Sequence, residues 1–262
     1  MTYSNALPIQ FWPVDEDTFN ELEVCGITHV CWCQPIQMDD PIMLQFQAET
    51  GGSYEIWLYD EDGNQVGGAT PLLEIGTTGV YEGTPLPFPT EGKYQIQIHQ
   101  LSLTPSSPDE PGTPILKSDC LDVRVSHPCT NVITYRNSTN AFGLNYADAS
   151  PETTFAYRVR SVFFHEEPFD ESEDHELSSD TMVQIWAKLE RKRQFEIDFM
   201  PYYSHEKLRL ILAHQQVEVN SEEWIKKKDD AYTIVRTGNK HYPLNKATVL
   251  LTDKNFIKRN LL

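Results

Sequence analysis

Apolar and polar residues alternate with a period of two along most of this chain, in short runs bounded by Gly, Pro, Asp and Asn. Met43–Ala48 and Tyr54–Tyr59 alternate in this way, and the second runs into Asp60-Glu61-Asp62-Gly63-Asn64, whose Asp-Gly step suits a hairpin turn. In Lys93–His99, Tyr94, Ile96 and Ile98 fall on one face and Gln95, Gln97 and His99 on the other. Runs of the same kind recur at Phe155–Phe164, Met182–Ala187, Arg193–Phe199, Val217–Asn220, Ala231–Arg236 and Ala247–Thr252. Such a period puts alternate side chains on opposite faces of a pleated sheet and cannot form one stripe on a helix. The chain is therefore expected to be mainly β.

One segment departs from that period. Ser204–His214 carries Leu208, Ile211 and Leu212 as an apolar stripe, with Ser204 placed as an N-cap after Pro201 and Glu206 in the first turn. It predicts a single helix over 204–214.

Charge divides the chain in two. Residues 1–127 hold 19 Asp and Glu against 3 Lys and Arg, a net of −16, whereas residues 128–262 hold 20 against 18, a net of −2. The change falls at Ser126-His127-Pro128, between the alternating run Leu121–Val125 and the β-branched run Val132–Tyr135. A composition shift at a strand-to-strand connector marks a domain boundary. The expected organisation is an acidic N-terminal domain, 1–127, and a β-rich C-terminal domain, 128–262, each long enough to bury a core.

In the first domain, short strands separated by turn residues point to an antiparallel, immunoglobulin-like β-sandwich. A Pro-rich loop, Thr104–Pro114, precedes its closing strand. Cys25, Cys31 and Cys33, with His29 between, invite a metal reading. Zinc sites are usually built from two close ligand pairs, however, and Cys120 and Cys129 supply no second one. Five cysteines without a secretory signal fit buried, reduced thiols made in a cytosol. No metal, cofactor or catalytic residue is assigned.

In the second domain, His165–Asp180 holds eight carboxylates and two His, and is read as a solvated acidic loop or an arm reaching a basic neighbour. Its spacing matches no calcium-binding loop. Lys188–Arg193 is read as a charged connection or strand end, Lys226-Lys227-Lys228 as a solvated turn, and Phe256–Leu262 as a tail that docks onto a partner. There is no apolar run of about 18 residues to span a membrane, and the acidic balance excludes nucleic-acid binding through a broad basic face.

No motif for nucleophilic or metal-dependent hydrolysis appears, no Gly-rich phosphate loop follows a strand, and carboxylate pairs carry no information in so acidic a chain. His205 beside Glu206 reads as helix-terminus chemistry. Asn137-Ser138-Thr139 matches a glycosylation sequon that would go unused without export. The chain is not expected to be an enzyme.

A series of local motifs runs through the second half: Ser118-Asp119-Cys120, His127-Pro128-Cys129-Thr130, Ile133-Thr134-Tyr135-Arg136-Asn137, Asn140-Ala141-Phe142-Gly143 and Tyr146. Phe199-Met200-Pro201 before the helix, Val217-Glu218-Val219-Asn220, Tyr242–Thr248 and Phe256–Asn260 continue it. This order resembles virion tail proteins of phages and prophages infecting Bacteroidetes-type hosts, including the crAss-like group. The resemblance covers most of residues 118–262. It implies a non-enzymatic subunit of a tail ring, hub or baseplate, made in the host cytoplasm and built into the virion. Its partners would be copies of itself and neighbouring tail or portal-proximal proteins. An alternative is a carbohydrate- or receptor-binding module of such a tail, with Trp12, Trp32, Trp57, Trp186 and Trp224 as candidate stacking platforms. A metal-dependent hydrolase using the acidic loop or the cysteines is a third, separable by metal analysis.

Overall fold

A computed structural model describes residues 2–3, 6–14, 32–76, 79–84, 87–101, 112–146, 153–176, 182–228, 230–235, 244–255 and 258–261; for 2–3, 165–176, 182–189 and 258–261 it describes the backbone path. Among the described residues the chain is mainly β, with one helix and two sheets.

The first sheet contains β1 (Thr2–Tyr3), β2 (Phe11–Pro13), β3 (Gln34–Gln37), β4 (Leu44–Gln47), β5 (Tyr54–Asp60), β6 (Thr70–Ile75), β7 (Val80–Gly83), β8 (Gly92–Gln100), β9 (Thr113–Ser118) and β10 (Leu121–Arg124). Its order is β1-β4-β7-β6-β5-β8-β10-β3, curled into a half-barrel. β8 is long enough to share its far edge, pairing β10 through Gly92–Tyr94 and β9 through Gln97–Gln100. The expected hairpin turn after β5 is present: Asp60 accepts the Asn64 and Asp62 amides, and Gly63 takes a φ of +79°. All these pairings are antiparallel except β3 with β10, which run parallel.

That parallel pair overturns the reading of the cysteines. Gln34 lies opposite Leu121, so the residues that precede both strands, Cys33 and Cys120, sit side by side with Cα atoms 4.6 Å apart and form a disulfide. They are 87 residues apart in sequence, and nothing local announces the contact. Cys129 is free but exposed rather than buried. Cys25, His29 and Cys31 lie outside the described residues.

The second sheet contains β11 (Thr130–Arg136), β12 (Phe155–Glu176), β13 (Met182–Pro201), β14 (Gln216–Val219), β15 (Glu222–Ile225), β16 (Thr233–Val235), β17 (Leu244–Asp253) and β18 (Lys258–Leu261), with helix α1 (Tyr202–Ile211) between β13 and β14. Because β17 pairs both β15 and β13, the path β11-β12-β13-β17-β15-β14 returns to β11 and closes a six-stranded barrel. Inward positions are filled by Ile133, Tyr135, Phe155, Tyr157, Val159, Phe195, Ile197, Val217, Val219, Trp224, Val249 and Leu251, all buried, as a barrel this small requires. Leu208 and Ile211 of α1 and Leu212 at its C-cap are buried too, so the apolar stripe read from sequence is the packed one.

Three readings of this half need correction. The helix starts at Tyr202 with Pro201 at its N-cap, so Ser204 lies inside the first turn and is buried instead of capping. The acidic loop is, over residues 165–176, part of strand β12; residues 177–181 lie outside the described set. Lys188–Arg193 is likewise strand interior, since the two runs flanking it merge into β13. Register supplies the reason. Glu166 lies opposite Arg193, Glu167 opposite Lys192 and Glu171 opposite Lys188, so the backbone of the acidic run has a neighbouring strand to pair with. Eleven residues of β12 from Glu166 to Glu176 run past the barrel's closure as a hairpin about 35 Å long at about 3.3 Å per residue, with β18 pairing the outer part of β13.

Candidate interaction surface

The two halves meet along a buried seam in which nearly every titratable group already has a structural partner. Residues 6–14 run along it, with Ala6, Leu7, Ile9 and Phe11 fully buried. Their carbonyls are received by both halves: Tyr135 Oη donates to Ala6 O, Lys207 Nζ to Leu7 O at 2.7 Å and Gln34 Nε2 to Pro8 O at 2.8 Å. The apolar core is continuous across the seam.

Asp119, in the short link between β9 and β10, accepts Trp12 Nε1–H at 2.7 Å and the Tyr203 hydroxyl at 2.5 Å. Loss of water raises its carboxyl above the usual range, partly offset by those two donors and by Lys207. The same burial lowers the Lys207 ammonium to about 7, and Asp119 pulls it back only in part. Arg158 of β12 grips Asp40 with two bonds of 2.6 Å, both side chains about nine-tenths buried. Gln45 exchanges two bonds with the backbone of Asn145, at 2.6 and 2.9 Å.

His205, read as helix-terminus chemistry, is a core residue. Its Nε2 donates to Asn245 O at 2.9 Å, which leaves Nδ1 to accept the Tyr232 hydroxyl at 2.8 Å, and desolvation lowers its pKa. Among the described residues, no three His, Cys, Asp or Glu side chains come together as a metal site. The described tryptophans are used in packing: Trp57 and Trp224 are buried, and Trp12 and Trp32 pack edge-on against Tyr203. Trp186 falls where only the backbone path is described.

What the fold leaves unpaired is a surface. The strands β12, β13, β17 and β16 lie side by side, and their outward positions follow from register: Val162, Glu196, Thr248 and Thr233 form one row, and Lys246 and Val235 belong to the next. A bulge in β13 turns both Asp198 and Phe199 outward. Val162 (49% exposed), Phe164 (43%), Phe199 (41%) and Val235 (50%) all lie on this face, and Tyr202 follows where β13 enters the helix. They are five of the eight large apolar side chains exposed among the described residues. Lys246 stands 4.7 Å above the Phe199 ring and 3.5 Å from Asp198, so charge of both signs is interleaved.

Clustering of exposed apolar groups on one face of a charged protein marks a binding surface. Sequence carried half the signal. In Ser161-Val162-Phe163-Phe164 the polar side of the alternation turns apolar, which a strand with one wet face has no reason to do. The Phe199–Lys246–Val235 grouping needs the barrel to assemble it. No protein-family model matches the chain, and no curated protein matches its sequence. Among the described residues, no helix is long and apolar enough to cross a membrane.

Proposed function

We propose that the chain is a non-enzymatic structural subunit of a phage tail, acting through protein–protein packing in a ring, hub or baseplate. The single observation that carries this reading is the cluster of exposed apolar side chains on the outer face of the β12-β13-β17-β16 sheet, with the β12–β13 hairpin extending beyond the barrel as an arm. Both are devices for contact with neighbours. The ordered motifs of residues 118–262 supply the virion context. The buried acid–base groups of the seam bind the two halves together and are assigned no chemistry. Synthesis in the host cytoplasm is compatible with the Cys33–Cys120 disulfide if the bond forms after release into an oxidising medium.

Light scattering on the purified chain, alone and co-expressed with other tail proteins, tests this, with negative-stain images of what elutes. A discrete ring or a stable complex with a tail partner is the expected result. A monomer indifferent to every tail partner refutes the proposal.

A further inference from the structure

We propose that two copies of the chain pair edge to edge through β16, continuing the β12-β13-β17-β16 sheet across a two-fold axis. This rests on the subunit reading above and names the first contact in the assembly.

Among the described residues β16 has one ladder partner, β17, and its other edge carries unpaired backbone groups. Exposed edges are normally guarded by Lys, Pro, a bulge or an inward charge. Here Ala231–Val235 reads Ala-Tyr-Thr-Ile-Val, with no charge and no proline, in a chain whose residues are 23% charged. Thr233, Ile234 and Val235 are all β-branched, the type that pairs best across strands. An antiparallel register centred on Ile234 sets it against its own mate and Thr233 against Val235 of the second copy. Thr233 and Val235 are exposed and point to the outer face, so their pairing displaces nothing already packed.

Charge selects a copy's barrel as the occupant. Residues 1–127 carry −16, so a contact bringing two first halves together is repelled, whereas residues 128–262 carry only −2. A contact made between the barrels pairs the two less charged halves. On the outer face beside the edge, Lys246 and Asp198 give both signs, so the approach meets no single-sign field. A two-fold contact closes on itself. The pair would therefore present one continuous sheet face of doubled width, carrying both apolar clusters and running from Val162 of one copy to Val162 of the other, free to meet the next neighbour.

The test is solution mass by light scattering over a concentration series, using the full chain. The wild type is expected at twice its 30.1 kDa mass. Thr233→Lys/Val235→Lys guards the edge and sets like charges opposite each other, weakening the dimer by about a hundredfold. Leu73→Lys, at an exposed position of the first sheet, should leave the dimer intact. Since Thr233 and Val235 are exposed, the double variant should fold, which an unchanged unfolding midpoint verifies. Cysteines at 233 and 235 in a Cys129→Ser background should cross-link two chains, and a cysteine at 73 should not. An oligomer that the double lysine leaves intact, or that Leu73→Lys breaks, overturns the pairing and leaves the subunit reading standing. A wild type that stays monomeric at every concentration also overturns the pairing, and the subunit reading is then decided by assembly with co-expressed tail proteins.

Discussion

Removing the Cys33–Cys120 bond is the perturbation whose cost is most directly computed from the fold. The two sulfurs close a loop of 87 residues. In the chain-entropy account, a cross-link across such a loop takes from the unfolded ensemble an entropy worth about 4–5 kcal/mol at 25 °C. The bond lies at the start of the parallel β3–β10 pair, next to Asp119 and its donors Trp12 and Tyr203, so its loss also loosens the seam. Cys33→Ser/Cys120→Ser should therefore lower the urea midpoint by about 1.5 M at a slope of about 3 kcal/mol/M. Wild type treated with reductant should fall to the same midpoint. Thiol titration of the unfolded, unreduced protein should find at least two fewer than the five cysteines of the chain. If all five thiols titrate, the bond is absent. If the bond is present and the double serine costs under about 1 kcal/mol, the entropic reasoning is wrong for this fold.

Three further outcomes follow from the seam and one turn. Asp40→Ala strands the buried Arg158 guanidinium and should cost about 3–5 kcal/mol, while Asp40→Leu/Arg158→Met should recover most of that loss; equal losses in both variants would refute the pairing argument. Lys207 has a pKa near 7 when folded and 10.5 when unfolded, so unfolding takes up a proton between those values, and the penalty of burying the ammonium is full below pH 7 and fades toward 10.5. The stability of Lys207→Met relative to wild type, from denaturation at several pH values, should thus decline steadily above pH 7; a constant difference would count against it. Asp119 acts in the opposite sense, losing stability as pH rises from 3.8 through its raised folded value. Gly79→Ala should cost about 2–3 kcal/mol, since Gly79 has a φ of +69° and a Cβ there would meet Ala48 O at 2.3 Å; an unchanged thermal midpoint would contradict the strain.

Much of the fold is legible in local pattern. Alternation in Tyr54–Tyr59, Lys93–His99 and Phe155–Phe164 reports which face of a strand is buried, because a pleat of period two turns that choice into sequence directly. The stripe Leu208, Ile211 and Leu212 does the same for the helix, and the connector at 126–128 lies where β10 gives way to β11. The start of the helix was harder to read, because Ser204 looks like a cap until Pro201 is seen taking that place.

The candidate surface was legible only in the apolar turn of Val162 and Phe164. Its other members come from β13, β16 and β17, brought together by register and a bulge. The acidic run 165–176 illustrates the limit. Taken alone, a block of carboxylates belongs in water, but β13 pairs with its backbone in register, and the same residues form a strand.

By itself, then, the sequence determined the β class, the helix that follows β13 and the two-part division of charge, because each depends on neighbours within a few residues. Closure of the barrel, the disulfide across 87 residues and the Arg158–Asp40 pair across 118 were decided by tertiary structure. Each joins residues whose distance along the chain leaves no local trace, and their partners are chosen by which strand edges and buried charges remain to be satisfied once the sheets have formed.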